Sequence, residues 1–346
     1  MNELPDIVDI LREAVRNGAS DIHLCAGLAP SMRLRGDIRP CLGRVISNHE
    51  CREIILGILT ESQRTGLERD LELDFGLQVE GTGRFRGNAH FSRGALEAVF
   101  RHIPKEIPSV MELGHRPSIM QLCNRTAGLI LVTGMTGSGK TTTLASMIRW
   151  ISENRDAVIV TIEDPIEFYF TSNRSIIKQR ELGADTRSFH EALRHVLRQD
   201  PDVVMVGEMR DAETVRAALT AAETGHLVLA TLHTNDAPQA LDRIVDYFPG
   251  DEQAQVLGQL ANCLAGVLAQ RLIPSEDVLR RIMLSEMLIN NSAVSACIRE
   301  HRFEQIVGLM EIGRKDGMHT FDDMLEELYL SGYISKEEVV AGARDP

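Results

Sequence analysis

Residues Gly134–Thr141 read GMTGSGKT and fit the pattern Gly, four residues, Gly, Lys, then Ser or Thr. Each part has a physical task. Glycines let the backbone curl until its N–H groups face phosphate oxygens. A helix beginning at the end of the loop adds its partial positive charge. Lys140 is spaced to reach the β- and γ-phosphates of a nucleotide, and the Thr141 hydroxyl to ligate Mg2+. The candidate binding set is Gly134, Met135, Thr136, Gly137, Ser138, Gly139, Lys140, Thr141 and Thr142, and its expected ligand is ATP with Mg2+. A chance match in a chain this long is on the order of 1 in 100.

Holding a nucleotide is not hydrolysing it. Hydrolysis also needs one carboxylate to organise Mg2+ and another to orient or deprotonate water. Two acidic stretches stand where strands should end. VIVTIEDPIEF carries Glu163, Asp164 and Glu167, and DVVMVGEMRD carries Glu208. In the second, Gly207 occupies the position where an aspartate is usual, and Glu208 comes one residue later. Its longer side chain is expected to reach Mg2+ through the ion's water shell. Asp211 opens the next helix and is read as its cap.

These groups must be presented by a parallel sheet, because ligands bind at the carboxyl ends of its strands. The second part of the chain has the required alternation of strands and helices. Short apolar strands are expected at Leu129–Thr133, Val158–Ile162, Val203–Val206 and Leu227–Thr231. The helix after the phosphate loop, KTTTLASMIRWI, has Leu144, Met147, Ile148 and Ile151 on one face. From about residue 290 the pattern turns mostly helical.

The first part is different. Leu4, Ile7, Val8, Leu11 and Val15 repeat at helical spacing, with Gly18 as the stop. DIHL and SMRLRGDIRP read as strands and a hairpin, and NHECREIILGILT and ESQRTGLERD as two helices. Residues 71–103 read as an antiparallel meander punctuated by glycines. Prolines at 104, 108 and 117 mark a connecting segment. The expected division is an α+β domain over 1–103, a linker and hinge over 104–117, and an ATPase domain over 118–346.

Composition narrows the function classes. The 346 residues are 43% hydrophobic and 25% charged, an ordinary globular balance. The net charge of −13 argues against a protein that binds nucleic-acid polymers. None of the six cysteines forms a C-x-x-C pair, which disfavours a cysteine-built zinc site and fits reduced thiols. The acidic start MNELPDIVDILREAV shows no signal peptide, and no 18-residue apolar run exists to span a bilayer. A cytoplasmic location is expected, with any membrane association made through a partner.

TGMTGSGKTTTLASMI, TIEDPIEF, the block from Ala192 to Thr234 and RFRGNAHFSRG together resemble the secretion-type ATPases of type IV pili and type II secretion. Within them the chain most resembles the pilus retraction ATPases, as ASDIHLCAGLAPSMRLRGDIRP shows near the start. SAVSACIREHRFEQI resembles their C-terminal signature, with its Ala-Ile-Arg opening altered. Extension and secretion relatives usually carry a longer N-terminal region and a four-cysteine motif, which this chain lacks. The resemblance implies a PAS-like first domain and a RecA-like P-loop domain. It implies a homohexameric ring at the cytoplasmic face of the inner membrane, driving pilus retraction through a membrane platform protein. An accessory or extension-type motor is the alternative within the family. A nucleotide-binding scaffold without useful turnover, or a DNA-translocating ATPase, is the alternative of another class.

By the same resemblance Glu163 is the catalytic base and Glu208 serves Mg2+. Arg86 and Arg101 of the first domain reach phosphates across a cleft, with Arg84 and Arg93 as further candidates. Arginine suits that task because its planar fork matches phosphate oxygens, and added positive charge stabilises phosphoryl transfer.

The resemblance also marks His226 and His233 as site residues. Along one strand, seven residues at ~3.3 Å each place them about 23 Å apart, and an odd spacing sends them to opposite faces. They cannot share a metal from one strand. His233 follows the strand, at the carboxyl end, and is expected to sense the nucleotide. His226 precedes it and is expected to position structure or a subunit contact.

Overall fold

The computed structural model describes residues 5–34, 36–41, 44–103, 106–276 and 281–344. The chain forms two compact units, Met1–Glu106 with Pro165–Tyr169, and Ile107–Asp164 with Phe170–Pro346. Residues 104 and 105, the start of the expected linker, lie outside the described residues. Glu106 groups with the first unit, and residues 107–117 belong to the second, where Ile107, Val110 and His115 are buried.

The first unit begins with α1 (Ile7–Arg16). Asp6 sets its start by accepting from the Val8 N–H at 2.9 Å. The helix ends before Gly18, whose φ of 72° only glycine adopts without strain. β1 (Asp21–Leu24), β2 (Ser31–Leu34) and β3 (Asp37–Pro40) follow. Then come α2 (Asn48–Ile58) and α3 (Glu61–Asp70), each opened by a reciprocal capping box, at Ser47/Glu50 and Thr60/Gln63. β4 (Glu72–Val79), β5 (Gly83–Ser92) and β6 (Ala95–Ile103) complete the meander. The sheet order is β3-β2-β1-β6-β5-β4, with every pairing antiparallel. One core gathers Ile10, Leu11 and Ala14 of α1, Ile55 of α2 and Leu67 of α3 with Ile22, Phe85 and Phe100 of the sheet. Gly87 is required there, because a Cβ would lie 2.5 Å from the Phe75 ring.

The second unit is built on a seven-stranded sheet. Its strands are β7 (Gly128–Thr133), β8 (Val158–Glu163), β9 (Ile176–Glu181), β10 (Val203–Val206), β11 (Leu227–Leu232), β12 (Leu264–Pro274) and β13 (Arg281–Ile289). The order is β13-β12-β7-β11-β10-β8-β9, parallel throughout except for β13. Alternate residues face opposite layers. Ile130, Val132, Ile159, Met205 and Leu229 pack with α4 (Ile119–Cys123) and α5 (Lys140–Asn154). Leu131, Val160, Val204 and Val228 pack under α6 (Phe189–Val196), α7 (Ala212–Glu223), α8 (Ala237–Asp246) and α9 (Gly250–Cys263). That layer continues into α10 (Ser292–Arg299) and α11 (Ile306–Ile312). A smaller cluster joins Ala269 and Leu284 to α12 (Phe321–Leu330), near α13 (Lys336–Gly342).

The four strands expected from the sequence are present to within a residue or two at each end. The hairpin of β12 and β13 was not among the expectations. Neither was β9 at the sheet edge. The fold is α/β overall, an antiparallel-sheet unit followed by a mainly parallel one.

Candidate functional site

The residues with chemistry gather at the carboxyl edge of the parallel sheet. Strand order places the phosphate loop after β7, His233 after β11, Glu208 after β10 and Glu163 at the end of β8. At about 4.8 Å between strands, the row spans roughly 14 Å from β7 to β8.

The loop is shaped by its glycines. Gly134, Gly137 and Gly139 have φ of 150°, 80° and 90°. At Gly134 a Cβ would lie 2.3 Å from the Gln270 carbonyl oxygen and 2.5 Å from Ser138 Oγ. Gln270 of β12 is fully buried and donates from Nε2 to the Ser138 carbonyl at 2.7 Å, bracing the loop from below. Lys140 opens α5 and donates to the carbonyls of Gly134 at 2.7 Å and Met135 at 3.1 Å. Burial lowers its ammonium pKa, partly opposed by the charge of Glu208. Met135, Thr136 and Gly137 form the exposed crest, and Thr141 and Thr142 stand half-buried on the first turn of the helix. One residue on, Thr143 Oγ1 meets buried His115 Nε2 at 3.0 Å. Burial pushes the His115 imidazole down to about 4.

Glu163 is 4% exposed. Its Oε1 accepts from Thr161 Oγ1 at 2.6 Å and from Gln179 Nε2 at 3.1 Å. Glu208 is partly exposed and holds two bases, with Arg210 Nη2 2.7 Å from Oε2 and His233 Nε2 3.2 Å from Oε1. Desolvation works against its charge, but Arg210 and His233 outweigh it and keep the carboxyl below its ordinary range. Gly207 now has a reason. A Cβ there would stand 3.2 Å from the Ile162 carbonyl, a tight approach that favours glycine, and the acid follows one residue later. Asp211 caps α7 as expected, accepting from Thr214 N–H at 2.7 Å.

The two histidines part company. His233 joins Glu208, and its loop is tied to the root of the phosphate loop. Thr133 Oγ1 lies 2.8 Å from the Thr234 carbonyl and accepts from Thr234 N–H at 3.0 Å. His226 lies at the opposite end of β11 from the phosphate loop. Its Nδ1 is 3.0 Å from the Ala221 carbonyl and 3.2 Å from Thr224 Oγ1, so it fastens the end of α7. His226, counted among the candidate catalytic residues, stands against the end of α7 and not beside the phosphate loop within this chain. A cleft of about 490 Å3 opens beside Glu208 and His233, lined also by Arg210, Asn235, Arg243 and Tyr247.

In the first unit, Arg86 and Arg101 are direct cross-strand partners, and Arg101 also pairs with Asp21 of β1. All three therefore share one face of the sheet. Arg101 donates from Nε to Asp21 Oδ1 at 2.8 Å, with its side chain 70% exposed. Arg86 lies 3.8 Å from Glu167 and 4.0 Å from Asp74. Arg84, a further candidate, is buried and donates from Nε to the Ile166 carbonyl at 2.7 Å. Arg93 sits in the β5–β6 turn with φ 51°.

Among the described residues no group of three His, Cys, Asp or Glu stands ready to hold a metal. Mg2+ keeps several waters and takes one or two protein ligands beside substrate phosphates. Ionised Glu208 and the Thr141 hydroxyl fit that habit.

Sequence reasoning missed Arg210, which bonds Glu208 from two residues away, and also Gln179, Gln270 and Thr133. Each of the last three sits on a strand, and its partner is remote in sequence. For these, only the register of Gln179 opposite Thr161 could have hinted at a role, and that requires knowing that β8 and β9 pair.

A parallel sheet with a glycine-cradled lysine, and two acids at its carboxyl edge, defines a P-loop nucleotide hydrolase. The chain belongs to the type II/IV secretion system protein family, whose model matches residues 4–318. It is 42% identical to the type IV pilus retraction ATPase PilT of Pseudomonas aeruginosa over 341 residues, 99% of each chain. It is 40% identical to the type IV pilus ATPase PilU of the same organism, covering 96% of this chain and 87% of the relative. A crystal structure of the pilus retraction motor PilT with bound ADP superposes with a TM-score of 0.92 at 44% identity, covering 99% of this chain and 98% of that one. The ATPase DotB of Legionella pneumophila superposes with a TM-score of 0.86 at 28% identity, covering 99% of both chains.

Proposed function

We propose that this chain is an ATP-hydrolysing motor that assembles as a homohexameric ring and powers retraction of a type IV pilus. The observation that carries the reading is 42% identity to PilT across 99% of both chains, with the phosphate loop and both acids in place. The work would be delivered to a platform protein at the cytoplasmic face of the inner membrane. No helix among the described residues is long and apolar enough to cross a membrane, so the docking would run through protein contacts.

In this mechanism the phosphates of ATP take Lys140 from the two loop carbonyls that now accept its protons, and the backbone of residues 135–139 cradles them. Mg2+ would be held by Thr141 and, through water, by Glu208, where it supplies neutralising charge to the β- and γ-phosphates. Glu163 orients and deprotonates the attacking water. His233, bonded to Glu208, reports whether the third phosphate is present. Arg86 and Arg101, presented together on one sheet face, supply charge to the transferring phosphoryl group from another subunit. Closing around ATP and reopening after hydrolysis moves the ring only because the two states bind ATP differently.

The 40% identity to PilU supports a second reading, an accessory pilus motor. Complementation of a retraction-null strain separates the two. Restored twitching with the wild-type gene, and none with Lys140→Ala, is expected of the principal motor. No restoration by a chain that hydrolyses ATP points to the accessory role. Equal phosphate release by wild type and Lys140→Ala refutes both.

A further inference from the structure

Gln179 of β9 bonds at once to Glu163 and to the backbone of Phe170. Its Nε2 donates to Glu163 Oε1 at 3.1 Å, and its Oε1 accepts from the Phe170 N–H at 3.0 Å. A carboxamide donates at one end and accepts at the other. Glutamate in its place would present only acceptors to Glu163, and lysine only donors to Phe170. The side chain is directed there by register, since β9 pairs Gln179 with Thr161 of β8, which also donates to Glu163 Oε1.

Phe170 is the first residue after a segment with a distinct allegiance. Pro165–Tyr169 groups with the first unit, although Asp164 and Phe170 on either side belong to the second. Arg84 grips that segment. It donates from Nε to the Ile166 carbonyl at 2.7 Å and from Nη1 to the Tyr169 hydroxyl, and its guanidinium lies 4.5 Å over the Tyr169 ring. The grip is built in. At Gly76 a Cβ would lie 2.3 Å from Arg84 Nη2, so the absent side chain is what admits the guanidinium. One peptide bond joins Tyr169 of the gripped segment to Phe170, whose N–H donates to Gln179. Gln179 connects that N–H to Glu163.

We infer that Gln179 is a positioning residue for Glu163, holding the carboxylate in working position according to where the Arg84-gripped segment stands. This rests on the reading of Glu163 as the base.

The test is steady-state ATP turnover by the full chain, with kcat and KM measured separately and affinity read with a fluorescent ADP analogue. Gln179→Leu should lower kcat about 10- to 100-fold, the scale of one hydrogen bond to a charged acceptor, with KM and ADP affinity changed less than about threefold. Gln179→Glu retains the acceptor for Phe170 and sets a second carboxylate against Glu163, so it should be at least as slow. Arg84→Ala should lower kcat in the wild-type background and add little in the Gln179→Leu background, because both cut one chain of contacts. Wild-type kcat in Gln179→Leu, a collapse of kcat and ADP affinity together in both Gln179 variants, or additive effects with Arg84→Ala would each overturn the inference. Glu163→Gln is measured alongside. Wild-type turnover in that variant removes the base itself. An inactive Glu163→Gln beside an unaffected Gln179→Leu leaves the base standing and removes the relay.

Discussion

Glu286 of β13 gives a prediction whose sign and size follow from its surroundings. The side chain is fully buried. Burial pushes its carboxyl up to about 7, against a backbone hydrogen bond and two arginines that favour the charge. Ala237 N–H donates to Oε1 at 2.8 Å, Arg344 Nη2 stands 3.6 Å from Oε2, Arg271 adds attraction and Asp236 adds repulsion. In the unfolded chain the same carboxyl titrates near 4.5. The folded protein thus holds the proton more tightly. The stability this confers is complete below pH 4.5 and is lost as pH rises to about 7. At about 1.4 kcal/mol for each tenfold in proton affinity, the loss comes to about 3 kcal/mol. Glu286→Gln keeps an acceptor for Ala237 and cannot ionise. Urea unfolding at a series of pH values, followed by the fluorescence of Trp150, reads the outcome. Trp150 is the chain's one tryptophan and lies in α5 of the same unit. The stability difference, variant minus wild type, should be flat below about pH 3.5, climb through pH 6 and level off near pH 8, about 3 kcal/mol higher. A difference that ignores pH, or falls as pH rises, refutes the reasoning. The group matters beyond stability, because it anchors the first residue of α8, three positions after Thr234.

Gly134→Ala drives a Cβ to 2.3 Å from the Gln270 carbonyl; it should abolish binding of a fluorescent ADP analogue, and retained affinity would show that the loop tolerates the shift. Arg101→Ala removes an exposed arginine from a buried Asp21, so thermal unfolding should register about 1 to 3 kcal/mol. Turnover by the assembled protein should nevertheless fall about a thousandfold or more, and unchanged turnover counts against a phosphate role. His226→Leu removes the contact with the Ala221 carbonyl and should cost about 1 kcal/mol of stability; a loss of ADP affinity in the monomeric chain would contradict its placement away from the nucleotide.

The phosphate loop was legible because its chemistry is local. Six residues must curl and a lysine must follow, so glycine spacing and Lys140 announce the structure directly. Glu163 and Glu208 were legible by a longer route, as acids closing short apolar runs that had to be buried parallel strands. The histidines were half legible. Their odd spacing ruled out a shared metal, yet nothing in the spacing revealed that His226 would fasten α7 while His233 met Glu208. The β12–β13 hairpin escaped because a long apolar run such as LAGVLAQRLIP has no period that distinguishes a central strand from a buried helix.

What the sequence by itself determined is therefore the class of chemistry: a nucleotide cradle, two acids on strand ends and the family to which they belong. What only the tertiary structure decided is how those groups are held. Gln179 meets Glu163 across 16 residues, Thr133 meets Thr234 across 101, and Gln270 meets Ser138 across 132. A hydrogen bond depends on ångström-scale placement. For partners that far apart in the chain, strand order and register alone provide it.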